Sequence, residues 1–184
     1  MFTREKLILK MISNNLISLR ALEPSDLDCM YRWENNFEEW KFSDHQIPFS
    51  KFILEKYIQQ ATDSIYSSKQ LRLVIEEKCS GKCLGFLDFF DFDPQNARMA
   101  IGIIIGEKKD RRKGFALEAL NLGKSFVKSS FGLRQLYCHI SENNPASISL
   151  FEKAGFTQSG CLKDWKIDRK NWINVLVFQC LLKD

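Results

Sequence analysis

Six consecutive residues, Arg111-Arg112-Lys113-Gly114-Phe115-Ala116, place three cations and a glycine between two apolar stretches. Before them runs Ile101-Gly102-Ile103-Ile104-Ile105; after them an amphipathic stretch ends near Phe131. The pattern predicts a buried strand leading through a charged loop into a helix. N–H groups at a helix start have no partner inside the helix, and the helix dipole adds partial positive charge there. The chemistry this suits is phosphate binding on main-chain amides, with Arg111, Arg112 and Lys113 adding charge. Gly114, lacking a Cβ, lets the backbone approach a ligand closely. No Lys-Ser or Lys-Thr follows the glycine and there is no Gly-x-Gly-x-x-Gly, so neither common nucleotide loop is present. From these residues alone, a solvated basic turn before an ordinary helix remains an equal reading.

A loop of this kind needs a framework to hold it. Ile17, Leu19 and Ala21 alternate with Ser18 and Arg20 as a first strand. Pro24-Ser25-Asp26 opens a helix to about Asn35, the stretch Asn36 to Pro48 reads as a loop, and Phe49 to Gln60 has helical spacing. Leu71 to Ile75 and Lys82 to Phe92 form a hairpin around Ser80-Gly81. Ala97 to Ile105 is nearly continuous in apolar residues and is expected at the centre of the sheet. The helix after Gly114 carries Ala116, Leu120, Gly123 and Val127 on one face and ends at Gly132. Leu133 to Ile140 is a fifth strand; Asn144 caps a helix that has Pro145 in its first turn and stops at Gly155. Phe156 to Leu162 and Trp172 to Leu182 are two final strands. The order gives an α/β fold with a mixed sheet of six to seven strands and helices on both faces. One domain over residues 1–184 is expected, with residues 1–14 partly a loose extension.

Composition narrows the partners. A chain of 184 residues that is 45% hydrophobic can bury a full core. A formal charge of +4, with the basic residues spread along the chain, is too mild to argue for nucleic acid but suits an anionic cofactor. The six cysteines form no Cys-x-x-Cys pair, and His45 and His139 are the only histidines, so no metal site is expected. Lys10 interrupts Leu7-Ile8-Leu9 and no apolar run is long enough for a bilayer, so neither a secretory signal nor a membrane partner is expected. Free thiols then fit a reducing cytoplasm.

Two spaced motifs resemble the GNAT superfamily of N-acetyltransferases. The first is Arg-x-x-Gly-x-Ala, here Arg111, Gly114 and Ala116; the second is Asn144, Ser147, Leu150, Phe151, Lys153, Gly155 and Phe156. The resemblance covers roughly Leu16 to Leu182. Leu19-Arg20-x-Leu22-Glu23-Pro24-x-Asp26-Leu27, Asp93-Pro94-x-Asn96 and Ser159-Gly160-Cys161-Leu162-Lys163-Asp164 are similar to the branch that acetylates N-terminal alanines of ribosomal proteins, with spermidine acetyltransferases close by.

The resemblance implies acetyl transfer from acetyl-CoA to a primary amine, on a protein N-terminus or a small molecule such as a polyamine. It implies that the fourth and fifth strands splay, with the pantetheine arm along Ile103, Ile104 and Ile105. The pyrophosphate would sit on the amides from Arg111 through Phe115 to Ala116, with Asn144 a further cofactor contact. Many members carry a Tyr where this chain has Phe151, and a Glu where it has Ala100. Ser147 is then either the hydroxyl that protonates the thiolate or an ordinary first-turn serine. Asp88 is either the base that takes the amine proton or an edge-strand carboxylate facing water. Trp33, Glu34 and Trp40 mix aromatics with carboxylate as a cationic amine would require, or merely anchor a solvated acidic turn. Two readings follow: a transferase, compatible with a homodimer, or a CoA-binding sensor without catalysis.

Overall fold

The computed structural model describes residues 12–40, 47–61, 63–168 and 170–182. Seven strands form one sheet in the order β1-β2-β3-β4-β5-β7-β6. They are β1 (Ile17–Arg20), β2 (Leu71–Glu77), β3 (Cys83–Asp93), β4 (Arg98–Ile105), β5 (Gln135–Ser141), β6 (Thr157–Asp168) and β7 (Asn171–Leu181). All neighbours are antiparallel except β4 and β5. The helices are α1 (Leu27–Glu34), α2 (Phe37–Trp40), α3 (Lys51–Gln60), α4 (Ile65–Ser68), α5 (Phe115–Phe131) and α6 (Pro145–Lys153).

Alternation along the strands sends successive side chains to opposite faces, and each face has its own core. Ile75, Leu87, Phe89 and Ile101 pack with Ala119, Leu120 and Val127 of α5. Val74 and Phe86 pack with Met30 and Trp33 of α1 and Leu54 and Ile58 of α3. α5 lies tightly on the sheet, because a Cβ at Gly123 would stand 2.6 Å from a Leu87 methyl carbon. Helices therefore cover both faces, as the element order required.

The expected strands and long helices are present, with boundaries shifted by a few residues. Two local readings need correction. Part of the expected loop over Asn36 to Pro48 is helical, as Phe37–Trp40. Asn36 nucleates that turn: its side chain accepts from Glu38 N at 3.1 Å and its carbonyl from Glu39 N at 3.0 Å. Residues 41–46, including Phe42 and His45, lie outside the described residues. The tail reading also changes where it can be checked. Ile12 accepts from Leu19 N at 2.7 Å, and the Asn14 amide donates to Glu118 at 2.7 Å, so residues 12–14 are tied to β1 and α5; residues 1–11 lie outside the described residues. Among the described residues, no helix is long and apolar enough to cross a membrane.

Candidate active site

The parallel pairing of β4 with β5 covers only Arg98–Gln135, Met99–Leu136 and Ala100–Tyr137. Beyond Ala100 the strands part, while β4 stays paired with β3 as far as Ile105. Gly106 N donates to Leu84 O at 3.0 Å. The alternation of an antiparallel ladder then turns the main-chain groups of Ile103 and Ile105 toward the opening. Ile105 is buried in the core on the α5 side, and the half-buried Ile103 and Ile104 pack against the cores of the α5 and α1 sides. The run is thus a rigid wall with polar backbone along one edge.

The loop that follows is shaped by its backbone. Arg112 has φ +63° and Gly114 φ +87°, both left-handed, a conformation that gathers successive N–H groups into a concavity. The first helical bond of α5 runs from Glu118 N to Gly114 O at 3.1 Å. The amides of Phe115, Ala116 and Leu117 therefore have no carbonyl ahead of them in the helix. Gly114 is exposed, and a Cβ there would touch nothing within 4 Å. The positive φ, rather than crowding by the protein, is what requires glycine.

The cations of this loop are not all arranged as expected. Arg111 turns back toward the strand end: its Nε donates to Ile105 O at 3.0 Å, and its Nη2 pairs with Glu39 at 2.9 Å. A strand-end carbonyl facing an opening needs a donor, and Arg111 supplies it. Lys113 leans on the buried Asp110 at 3.3 Å, which also accepts from Lys82. The Lys82 hydrogen bond is the main reason that the Asp110 carboxyl lies below its ordinary range. Arg112 is exposed.

Across the opening, Asn144 caps α6, its side-chain oxygen accepting from Ser147 N at 3.1 Å. Ser147 is half-buried in the first turn, and its hydroxyl has no partner among the described residues. Phe151 is buried edge-on to Phe156 at 5.0 Å and belongs to the core.

The α1 face of β4 has a different character. Arg72 on β2 holds Asp88 on β3 through two bonds, Nε at 2.5 Å and Nη2 at 2.9 Å, and holds Glu34 at the end of α1 through Nη1. Their side chains are only 16%, 26% and 14% exposed. Burial would push Arg72 down, but Asp88 and Glu34 outweigh it and raise the guanidinium above its ordinary value. Its guanidinium also stacks near Tyr57 and Phe86, at 5.4 and 5.1 Å from the ring centres. Arg72 thus ties a carboxylate inside the sheet to one at the end of α1.

This group borders a cavity of about 200 Å³ lined by Tyr57, Gln70, Arg72, Asp88, Phe90 and Gly102. A second, of about 260 Å³, shares Tyr57, Gln70 and Arg72 and extends to Gln60, Asp63 and Ser68. Gly102 lies two residues beyond the last β4–β5 pair, so the inner cavity meets β4 where the strands part. Asp88 is therefore not an edge-strand carboxylate facing water: β3 lies inside the sheet, and both carboxylate oxygens are engaged by Arg72.

Trp33 also differs from expectation. It is 6% exposed, edge-on to Phe86 at 5.3 Å, and it packs against Gly106 so closely that a Cβ there would stand 1.9 Å from its ring. It is a core residue that fixes the end of β4. Trp40 is half-buried against Phe37 at 4.4 Å and donates to Glu34 O at 2.7 Å. Arg72 and Tyr57 were missed in the sequence. One signal pointed to the pair: Arg72 and Asp88 carry opposite charges at equal distances from Ser80, in the turn of a hairpin.

The model of the acetyltransferase (GNAT) domain matches residues 17–157. The chain belongs to the GNAT acetyltransferase family. Its reaction is the one the two motifs implied: acetyl transfer to an amine. A spermidine N(1)-acetyltransferase of Vibrio cholerae serotype O1 is 24% identical over 149 residues, spanning 81% of this chain and 83% of that one. An uncharacterized N-acetyltransferase, p20, of Bacillus licheniformis is 25% identical over 169 residues, 91% and 94% of the two chains. Among solved structures, spermidine N-acetyltransferase from Vibrio cholerae in complex with CoA and spermine superposes with a TM-score of 0.82 at 23% identity, covering 92% of this chain and 97% of the other. The GNAT fold thus agrees.

Proposed function

We propose that this GNAT transferase acetylates an extended polyamine-like cation with acetyl-CoA. The observation that carries the acceptor class is the cavity beside Gly102, whose lining sets the Asp88 carboxylate among the aromatic rings of Tyr57 and Phe90. Continuity with the outer cavity, where Asp63 adds a carboxylate, leaves room for an acceptor with a second cationic group. The similarity to spermidine acetyltransferases supports the same class.

The chain's own residues divide the work. The amides of the Arg112–Ala116 loop fit a diphosphate, because their free N–H groups converge on one side of the α5 start. Arg112 adds charge from the rim. Ile103 offers its open main-chain edge to an extended arm, as an added strand would be held. Bound acetyl-CoA supplies the activated acyl carbon. Asp88 steadies the incoming ammonium while Tyr57 and Phe90 wall it in. An amine with a lysine-like pKa near ~10 must shed a proton before attack, and the open cleft gives water access for that. Both Asp88 oxygens are committed to Arg72, so Asp88 serves as a charge that positions the amine rather than as the proton acceptor. Ser147, its hydroxyl without a partner among the described residues, stands after β5 as the donor to the departing thiolate.

The test is acetyl-CoA consumption, with mass spectrometry of products, against spermidine, an alanine-terminated peptide and an aminoglycoside. Turnover is expected with the polyamine. Turnover confined to the peptide overturns the acceptor assignment, and CoA binding without turnover on any arm favours the non-catalytic sensor. Ser147→Ala is expected to lower kcat by about 100-fold with little change in CoA affinity; an unchanged kcat removes it from the reaction.

A further inference from the structure

One pair of side chains has no part in acetyl transfer. Cys29, in the first turn of α1, and Cys83, the first residue of β3, bring their sulfurs to 3.5 Å across 54 residues of sequence. Both are half-buried, neither sealed in the core nor loose on the surface. Among the described residues no other two cysteines share a hydrogen bond: Cys79 and Cys161 are exposed, and Cys138 and Cys180 are buried on β5 and β7.

We propose that Cys29 and Cys83 are a dithiol site that peroxide oxidises to a disulfide pinning α1 to β3. Two sulfurs at 3.5 Å are in van der Waals contact, and a disulfide bond is about 2.05 Å long. Closing the contact brings the sulfurs together by about 1.5 Å. The neighbouring Asp26 lies within 4.8 Å of both sulfurs, which raises metal binding as the rival use of the site. Asp26 is already committed. Its two oxygens accept from Arg20 at 2.7 and 2.9 Å and from the Glu23 amide at 2.9 Å. Two thiols without a free third ligand make a poor metal cage but a complete redox pair.

The two sulfurs differ in a way that orders the reaction. The hydrogen-bonded contact with Cys83 lowers the Cys29 thiol, against the opposing pull of burial and the nearby Asp26 charge. The same bond, with burial, raises Cys83. The N-terminal turn of α1 also favours a thiolate at Cys29. Cys29 thiolate attacks one oxygen of hydrogen peroxide; the O–O bond breaks, giving a sulfenic acid and hydroxide. The Cys83 sulfur then attacks the Cys29 sulfur, the S–O bond breaks, and the departing hydroxide takes the Cys83 proton as water. Two thiols lose two electrons, one peroxide gains them, and two waters leave. α1 also carries Glu34, which Arg72 holds, so the new bond would fix the helix beside the Arg72–Asp88 pair.

The experiment is peptide mapping of the folded protein without reductant, after treatment with a small excess of hydrogen peroxide. A linked peptide pair containing Cys29 and Cys83, lighter by two hydrogens and restored by dithiothreitol, is expected. In a Cys79→Ser/Cys161→Ser background the same link should account for nearly all thiol loss. Adding Cys29→Ser should abolish it and leave Cys83 as a free thiol. Links joining Cys29 or Cys83 chiefly to other cysteines, or sulfinic acid at Cys29 with Cys83 untouched, overturn the proposal. The mapping needs no acetyl acceptor, so its result stands apart from the substrate assignment.

Discussion

The two flanks of β4 are built from different material. On the β5 side the recognition surface is main chain: the open edge at Ile103 and Ile105 and the amides gathered by positive φ at Arg112 and Gly114. On the α1 side it is side chain: Arg72 clamped between Asp88 and Glu34 over Tyr57. Main-chain surfaces are held by the fold and tolerate changes in the side chains that decorate them. A buried ion group is held by its own members, and each is needed to offset the desolvation of the others. The cofactor flank should therefore fail at positions of special backbone geometry, and the acceptor flank at charges.

The largest effect should come from Arg72→Met, which takes the guanidinium away from two poorly exposed carboxylates. Removing one partner of a buried ion group costs about 3 kcal/mol or more of folding stability, readable as a drop in urea midpoint. The companion Glu34→Gln/Arg72→Met/Asp88→Asn should recover most of that stability yet lose the acceptor. A triple variant no more stable than Arg72→Met alone would break the comparison, because the group would then not be held by mutual charge. Next comes Gly114→Val. A β-branched residue at φ +87° is strained by roughly 1–2 kcal/mol, and the loop that relieves this strain loses its shape. CoA affinity, measured by calorimetry, should fall about 100-fold, or ~2.7 kcal/mol, while the melting temperature falls modestly. Unaltered affinity would take the diphosphate off these amides.

How much of this was legible in the sequence follows the same division. The Arg111–Ala116 and Asn144–Phe156 motifs specify backbone states: a glycine where φ is positive, a cap where a helix starts, a proline in its first turn. Such states depend on near neighbours in sequence, so the loop, the caps and the hairpin could be read directly, while the splayed strands came from the family resemblance. The roles of side chains depended on what the fold brings from afar. Trp33 looked like a binding aromatic, but Phe86 and Gly106 bury it from 53 and 73 residues away. Arg111 looked like a phosphate ligand, but an open carbonyl at Ile105 and the carboxylate of Glu39 claim it. Asp88 was singled out as an acid while its partner Arg72, one strand away, was not. Local rules carry no term for such long-range competition, so the acceptor flank stayed ambiguous.

A smaller effect is expected at the decorating cations. Arg112→Ala and Lys113→Ala should each weaken CoA by only a few-fold, about 0.5–1 kcal/mol, since exposed charges are well screened. The dependence on ionic strength should flatten in step. A loss from Arg112→Ala as large as that from Gly114→Val would move the weight from main chain to side chain and erase the distinction between the flanks.

The smallest effect sits beneath the loop. Asp110 is buried, and Lys82 and Lys113 hold its carboxyl below the ordinary range. A carboxyl depressed by folding contributes its stability fully above the unfolded pKa of about 4 and loses it as pH falls through the folded value. Asp26, which burial raises but Arg20 and the Glu23 amide lower further, adds to the same window. The melting temperature should thus be nearly flat from about pH 5 to 7 and fall below about pH 4. Asp110→Asn should soften that fall and cost about 1 kcal/mol or less at neutral pH, because both lysines remain partly in water. Its CoA affinity at neutral pH should barely change, since the amides of the loop are set by the φ angles at Arg112 and Gly114 rather than by the pull of Asp110 on Lys113. A large loss of affinity in Asp110→Asn, with stability intact, would mean that side-chain charge shapes the cofactor flank as it does the acceptor flank.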